Sequence, residues 1–221
     1  NWVQTCKEHH HQTLCGTAHT PLREDAEREF RLIDLEKMCV VLAPSTEQYA
    51  ALSYVWGESG AKLALVKSNQ SVFETEGSFL GHDLPETILD AMSVCKELGI
   101  NYLWVDALCI VQDTNETKLA QITSMDKIYS NASLTIIALA ATSGASGLFG
   151  TANRRRQEWV FSRRAYLPQM HETQSSLPNE LLATKWNTRG WTYQERILSR
   201  RCLYFGQDSV YFQCRQAVCD E

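Results

Sequence analysis

The chain has 221 residues, 44% of them hydrophobic, so it can bury the core of one sizeable domain or of two small ones. Its 21 basic and 26 acidic residues give a formal net charge of -5. That balance argues against a general nucleic-acid-binding protein, which normally carries a basic excess. No run of residues has the length of a membrane span, and the first residues lack a signal-peptide pattern, so we expect no membrane span.

The eight cysteines favour a reduced compartment. A chain of this size with this much apolar sequence does not need disulfides for its stability. Four of the cysteines lie in apolar patterns, where cysteine behaves as a small hydrophobic residue; they are Cys39, Cys95, Cys109 and Cys202. We therefore predict that all eight are unbridged and that the protein is cytoplasmic.

Residues 1–27 form a segment rich in cysteine and histidine, and we predict that residues 1–20 are irregular. Several residues there are of the types that bind zinc; they are Cys6, His9, His10, His11 and Cys15. Their spacing fits no zinc motif, because the second cysteine pair of a zinc ribbon or finger is absent. The sequence therefore predicts no metal and no cofactor, and a metal-dependent hydrolase built on this cluster is the remoter alternative.

The first predicted strands lie at 28–34 and 38–42 and form a hairpin at a sheet edge. A third strand is predicted over 51–56. It is followed by a loop rich in glycine and serine, from Gly57 to Gly60, at the carboxyl end of the strand.

The middle of the chain alternates helices and strands. Pro85 and Gly99 are typical of the start and the end of a helix. The apolar run 102–111 predicts a strand covered on both faces, followed by a helix over about 116–130 and a buried strand over 133–141. This alternation predicts an α/β fold with a mainly parallel sheet flanked by helices.

The alternation of predicted helices and strands weakens over about 142–185, and we interpret this segment as a surface insertion. A helix containing Trp191 and Glu195 is predicted after it, followed by strands at 201–205 and 209–214. We assign 28–221 to one domain, with additional strands at its periphery.

Glu195 is the leading candidate for a functional carboxylate. In a helix, Trp191 and Glu195 share one face, because they lie four residues apart. An aromatic plane beside a carboxylate suits a flat, cationic ring with an attached sugar. The alternative is structural: Thr192-x-x-Glu195 fits a capping box, in which Glu195 would only stabilise the start of the helix.

Three further polar residues follow or interrupt the apolar run. Asp106 lies within it, and since an unpaired buried carboxylate is costly, Asp106 must be hydrogen-bonded, paired or near the end of the sheet. Ligands of α/β sheets bind beyond the carboxyl ends of the strands, which puts Gln112 and Asp113 close to any site. Asp113-x-x-Glu116 also resembles a helix cap, so a purely structural Asp113 is the alternative.

Three segments of the chain resemble the motif set of the fungal heterokaryon-incompatibility (HET) domain. They are Tyr49 to Gly57, Leu103 to Asp113, and Trp191 to Glu195, which follows Arg189-Gly190. Ile128 to Ile136 is similar to a further part of that domain, and the resemblance extends from about Phe30 to Cys214. It implies an intracellular fungal protein that triggers programmed cell death when unlike hyphae fuse, with an incompatibility partner protein and self-association on activation.

HET domains are considered similar to TIR domains, which have a flavodoxin-like fold, and many TIR domains cleave NAD with a glutamate in a Trp-x-x-x-Glu helix. Trp191 and Glu195 match that pattern. The resemblance thus implies that Glu195 is catalytic in cleaving the nicotinamide–ribose bond, with NAD or a related nucleotide as substrate and not as a redox cofactor. The implied substrate-binding residues are Ser53, Tyr54, Trp56, Gly57, Asp106, Gln112, Asp113, Arg189 and Trp191. The alternative is a non-catalytic TIR-like signalling and oligomerisation module.

Overall fold

Eight strands form one sheet in the computed structural model, which describes residues 2–16, 19–57, 63–151, 154 and 177–221. The strands in these ranges are β1 (Arg31–Asp34), β2 (Cys39–Leu42), β3 (Tyr49–Ser53), β4 (Tyr102–Trp104), β5 (Leu134–Ile137), β6 (Arg201–Phe205), β7 (Val210–Cys214) and β8 (Val218–Asp220). The α-helices are α1 (Trp2–His9), α2 (Glu24–Arg28), α3 (Gln70–Phe73), α4 (Glu86–Glu97), α5 (Asp106–Cys109), α6 (Asn115–Thr123), α7 (Met125–Asn131), α8 (Leu177–Ala183) and α9 (Gly190–Leu198). Short 3₁₀ helices lie at Leu14–Gly16, Ser78–Gly81 and Trp186–Thr188.

The strand order is β2-β1-β4-β3-β5-β6-β7-β8. The four central strands, β4, β3, β5 and β6, are parallel, whereas the strands added at both edges pair in antiparallel fashion. The predicted α/β class is confirmed, but the prediction of a mainly parallel sheet holds only for the centre, and the whole sheet is mixed. Short turns join β1 to β2, β6 to β7 and β7 to β8, and such turns join strands as antiparallel neighbours. Strands β1 and β4 are also antiparallel, although a long stretch of chain separates them.

The order of the central strands creates a point at which the chain changes direction across the sheet. From β3 the chain passes through α4 to β4 on one side, and then through α6 and α7 to β5 on the other side of β3. In open α/β sheets, the crevice beyond the carboxyl ends of such strands is the usual place for a ligand.

The sheet is covered on both faces by hydrophobic side chains. Alternate residues of β6 show this, since Leu203 and Phe205 belong to one buried cluster while Cys202 and Tyr204 belong to another. The second cluster includes Leu181 of α8.

The predicted hairpins at the two ends of the sheet are confirmed. Strands β1 and β2 pair from Arg31 with Leu42 to Asp34 with Cys39, and β2 is an edge strand. Strands β6 and β7 pair along their full length, and β8 adds a further edge strand that the sequence did not indicate.

The apolar run 102–111 is not one strand. Strand β4 ends at Trp104, and Asp106 begins the short helix α5, where its carboxylate accepts the amide of Ala107 at 2.7 Å. Every side of this segment is buried, so its apolar character could not distinguish strand from helix. Asp106 therefore lies beyond the end of a strand and not within one.

Other predicted elements differ in length. Strand β3 ends at Ser53 and β5 at Ile137, each earlier than predicted. The helix predicted over 116–130 is two helices, α6 and α7, which meet at the buried Ser124. The helix after Pro85 is confirmed as α4.

The amino-terminal segment is helical, so the prediction of an irregular start is wrong. In α1 the side chains of Val3 and Cys6 are buried. The Trp2 ring stacks on Phe212 of β7, with 6.3 Å between the ring centroids. A tertiary contact with the far end of the chain stabilises this helix, and no local pattern could indicate it.

Most of the predicted insertion, residues 152–153 and 155–176, lies outside the described residues. The described parts of the predicted insertion include Arg154 and helix α8. Arg154 forms ion pairs with Glu86 at 2.7 Å and Asp90 at 3.1 Å, both on α4. Helix α8 packs against the sheet through Leu177 and Leu181.

Composition predicted unbridged cysteines and no membrane span. All eight cysteines are free, and seven of them are buried. Within the described ranges, every helix is too short or too polar to cross a lipid bilayer.

Candidate functional site

A cleft of about 190 Å³ lies beyond the carboxyl ends of β3 and β4. Six of the residues proposed from the sequence line it: Trp56, Asp106, Gln112, Arg189, Trp191 and Glu195. The three motif segments, which are far apart along the chain, thus meet at one place.

Glu195 lies on α9 and reaches the cleft from the protein interior, with only 6% of its surface exposed. Its Oε2 accepts a hydrogen bond from the hydroxyl of Ser53, the last residue of β3. The Ser53 oxygen in turn accepts a hydrogen bond of 2.8 Å from the indole N–H of Trp186. This chain of hydrogen bonds fixes the carboxyl group against the central strand.

The capping-box alternative for Glu195 is wrong. Helix α9 begins at Gly190, two residues before Thr192, and Arg189 occupies the cap position. The Thr192 hydroxyl donates to the carbonyl oxygens of Arg189 at 2.6 Å and Trp186 at 3.0 Å. The Glu195 carboxylate is bonded to Ser53, so its place in the structure is set by the sheet and not by the start of the helix.

Burial raises the pKa of Glu195 to about 7. The Ser53 hydrogen bond and the positive charge of Arg189 lower this pKa, while the negative charge of Asp106 raises it. The balance makes a carboxyl group that changes its charge near neutral pH, which is the range in which groups of functional sites commonly titrate.

Asp106 is the second acidic group of the cleft. The indole N–H of Trp56 donates to both of its carboxylate oxygens, at 3.0 and 3.1 Å. Desolvation raises the pKa of Asp106 to about 6, against the effects of these hydrogen bonds and of Arg189. The expectation that Asp106 is hydrogen-bonded and near the end of the sheet is confirmed.

Arg189 supplies a positive charge to the cleft that holds the two carboxyl groups. Its Nη1 donates to the backbone carbonyl of Tyr54 at 2.6 Å, which holds the guanidinium at the end of β3. Its charge lowers the pKa of both Glu195 and Asp106. With Lys118 of α6, the cleft thus holds two acidic and two basic groups, and Arg189 and Glu195 both belong to α9, as its cap and within it.

The side chains of Gln112 and Asp113, two other proposed site residues, form hydrogen bonds with backbone groups of nearby loops. The Gln112 amide lines the cleft but donates to the carbonyl oxygens of Asp106 and Ile110, at 2.9 and 3.0 Å, and so braces this loop. Asp113 accepts the amide of Lys67 at 2.9 Å and does not line the cleft. It does not cap α6 either, because Thr114 occupies that position.

Tyr54 and Gly57 shape the loop after β3. Tyr54 is buried and contributes its carbonyl oxygen to the site. Gly57 has a φ of 103°, and a β-carbon there would lie 3.2 Å from the Ser143 side chain. Both the backbone conformation and the close approach require glycine.

The structure adds residues that the sequence did not assign to the site. Ile110, Lys118, Ile122 and Met125 line the cleft. The sequence could have indicated Lys118, because it lies four residues before Ile122 and therefore on the same face of the predicted helix. The role of Trp186 as the partner of Ser53 could not be predicted in this way, because Trp186 directly follows a segment interpreted as an insertion.

Replacing Ser53 by Ala is expected to lower the free energy of unfolding by about 1–3 kcal/mol, because the buried Trp186 N–H and Glu195 carboxyl each lose their bond to Ser53. Urea denaturation followed by tryptophan fluorescence measures this. Ser93→Ala is the control, since that hydroxyl bonds only a helix carbonyl near the surface. An equal, small loss in both variants would contradict the importance of the Ser53 network.

Comparison with known proteins gives a family match over the part of the chain that contains the cleft. The sequence model described as "Heterokaryon incompatibility protein (HET)" matches residues 49–195, from the start of β3 to Glu195. A curated protein of Neurospora crassa, "Heterokaryon incompatibility protein 6, OR allele", is 30% identical over 130 residues. That match covers 51% of this chain and 19% of the relative, so the chain spans about a fifth of that protein. No solved structure is significantly similar.

The family match covers well over half of the chain and includes every residue that lines the cleft. The resemblance seen in the sequence motifs is therefore confirmed, and the chain belongs to the heterokaryon incompatibility (HET) family.

Proposed function

We propose that this chain is a programmed-cell-death effector domain of fungal heterokaryon incompatibility, and that it cleaves the nicotinamide–ribose bond of NAD. The family and the Neurospora relative support the first part. The observation that carries the second is the buried Glu195 carboxyl, which reaches a cleft lined by Trp191 at the carboxyl ends of parallel strands. We expect the domain to act in the cytoplasm, to self-associate on activation and to respond to an incompatibility partner.

The strand order supports the TIR-like part of this proposal. When β3 is taken as the first strand of the parallel core, the order of β4, β3, β5 and β6 is 2-1-3-4, which is that of flavodoxin-like sheets. In such sheets the ligand binds where the first and third strands meet. Ser53, the partner of Glu195, lies at that end of β3 and pairs with Ile137 of β5.

The proposed reaction needs one carboxylate and no general acid. The bond between the ribose carbon and the ring nitrogen breaks, its electron pair stays on the nitrogen, and nicotinamide leaves as a neutral molecule. Water then adds to the ribosyl cation, a proton is released, and ADP-ribose is formed. Ionised Glu195 would stabilise the positive charge that develops on the sugar, as carboxylates do in other glycosyl cleavages.

The charges in the cleft suit this substrate. The cationic nicotinamide ring would stack on Trp191, which is 54% exposed, between the two acidic groups. Lys118 lines the same cleft and would face the pyrophosphate. A cation bound next to Glu195 also favours its ionised form, so substrate binding would itself prepare the catalytic carboxylate.

A non-catalytic signalling and oligomerisation module is the second candidate. The observation that favours it is the size of the cleft, since about 190 Å³ is below the volume of most ligand pockets. In the catalytic proposal, the cleft therefore holds the ring and its sugar while the rest of the dinucleotide lies at the surface. Concentrated wild-type protein that oligomerises but releases no nicotinamide would favour the module.

Replacing Trp191 by Ala tests the proposed position of the ring. We expect the KM for NAD to rise about tenfold with a smaller change in kcat, because base–aromatic stacking contributes about 1–3 kcal/mol. Chromatographic measurement of nicotinamide released over a range of NAD concentrations gives both constants. Tyr193→Ala is the control, since Tyr193 is 65% exposed on the same helix and does not line the cleft. Equal effects of the two substitutions would contradict the placement of the ring on Trp191.

A further inference from the structure

Four side chains of the types that bind zinc meet at the carboxyl end of β7, next to the start of β6. They are Cys6 of α1, His10 just after it, Cys15 of the 3₁₀ helix and Cys214 of β7. One ligand atom from each lies within 4.8 Å of all the others, and the His10 Nδ1 atom is 3.5 Å from Cys214 Sγ. The three cysteines are buried.

These distances are close to those of a tetrahedral zinc site. Zinc bonds of about 2.3 Å to sulfur and 2.0 Å to nitrogen place the ligand atoms about 3.5–3.8 Å apart. Small rotations of the side chains would bring the more distant pairs of this cluster to that spacing. Three cysteines and one histidine form one of the common ligand sets of structural zinc.

Arg201 supplies the charge that such a site needs. It is 6% exposed, and its Nε donates to Cys6 Sγ at 3.2 Å while Nη2 donates to the Cys15 carbonyl at 3.0 Å. In the part of the chain that the structure describes, its remaining polar contact is the Ser133 carbonyl, so no carboxylate balances its charge there. Zinc with three thiolates and one neutral histidine carries a net charge of -1, which the buried guanidinium would neutralise.

Backbone amides also point at the sulfur atoms. The amide of Gln216 donates to Cys214 Sγ at 3.4 Å, and the amide of Arg215 bonds the Cys15 thiol. Amide hydrogen bonds to sulfur orient thiolate ligands and stabilise their negative charge in metal sites. The turn after β7 is thus shaped around the cluster.

We propose that Cys6, His10, Cys15 and Cys214 bind one structural zinc ion that fastens α1 and the following turn to β7. All four ligands come from the protein, so the site is closed, and its role is stability and not catalysis. The sequence named three of these ligands among the zinc-binding types but gave no zinc motif, because the fourth ligand, Cys214, comes from the other end of the chain. Local spacing could not reveal it.

Metal analysis of the purified chain without a metal-binding tag tests the proposal. We expect about one zinc ion per chain, lost in His10→Ala and Cys214→Ser. Cobalt added to metal-free, reduced protein should give the visible absorption of a tetrahedral thiolate site. That measurement uses the wild-type protein, so it holds even if a variant fails to fold. Arg201→Leu should keep the ligands but weaken zinc affinity about 10–100-fold, measured by competition with a chelator.

The controls are His9→Ala and Cys219→Ser, which change the same residue types outside the cluster and should keep the full zinc content. Three outcomes would overturn the proposal. The first is folded wild-type protein with neither zinc nor a tetrahedral cobalt spectrum. The second is an unchanged zinc content in His10→Ala and Cys214→Ser. The third is a disulfide among the three cysteines in place of the metal.

Discussion

Replacing Glu195 by Gln is expected to reduce nicotinamide release from NAD at least about 100-fold. The amide keeps the shape of the side chain and can still accept the Ser53 hydroxyl, but it cannot carry the negative charge that stabilises the ribosyl cation. Removing one preorganised electrostatic partner of a transition state costs about 10²–10³ in kcat. Nicotinamide release under single-turnover conditions, with protein in excess over NAD, measures the chemical step directly.

The control for this substitution is Glu116→Gln, which makes the same change of charge at an exposed position of α6. It should leave the rate of nicotinamide release unchanged. At pH 4.5, where the Glu195 carboxyl is uncharged in the folded protein, Glu195→Gln should melt within a few degrees of the wild type, so that lost activity cannot be assigned to unfolding. Full activity of folded Glu195→Gln would remove Glu195 from the mechanism, while the proposed zinc site would be unaffected by that result.

The stability of the wild-type protein is expected to fall between about pH 4.5 and pH 7 through Glu195. Its pKa rises from 4.5 to about 7 on folding, so in this range the folded state binds more protons than the unfolded state. The free energy of unfolding therefore decreases as pH rises, and a pKa change of this size corresponds to roughly 3 kcal/mol at pH 8. Below pH 4.5 both states are protonated and the effect vanishes.

Urea denaturation at a series of pH values, on the wild type and on Glu195→Gln, measures this effect. The difference in the free energy of unfolding between the two proteins should shift in favour of Glu195→Gln as pH rises from 4.5 to 8. The exposed Glu116→Gln substitution should show no such shift. Parallel pH profiles for the wild type and Glu195→Gln would mean that Glu195 has an ordinary pKa in the folded protein.

The local pattern of the sequence determined the elements whose signals lie within a few residues. Proline and glycine at 85 and 99 indicated α4, and the alternation of apolar segments indicated the parallel centre of the sheet. Where nearly every residue is buried, as over 102–111, apolar character no longer shows a strand or helix period, and the strand was predicted too long.

The motifs determined which residues form the candidate site, but not how they interact. The sequence named Ser53, Asp106 and Glu195 together through the family resemblance. It could not show that Ser53 bonds Glu195, because that contact joins a strand and a helix 142 residues apart. The choice between a capping box and a cleft carboxylate for Glu195 was likewise decided by where α9 begins.

Only the tertiary structure decided the contacts between the two ends of the chain. The first helix has too few residues to be stable alone, and it forms because Trp2, Val3 and Cys6 pack against the sheet near β7. The cluster of Cys6, His10, Cys15 and Cys214 follows from that packing. Local sequence determines what a segment can become, whereas long-range burial and ligand geometry depend on distances in space that the order of residues does not contain.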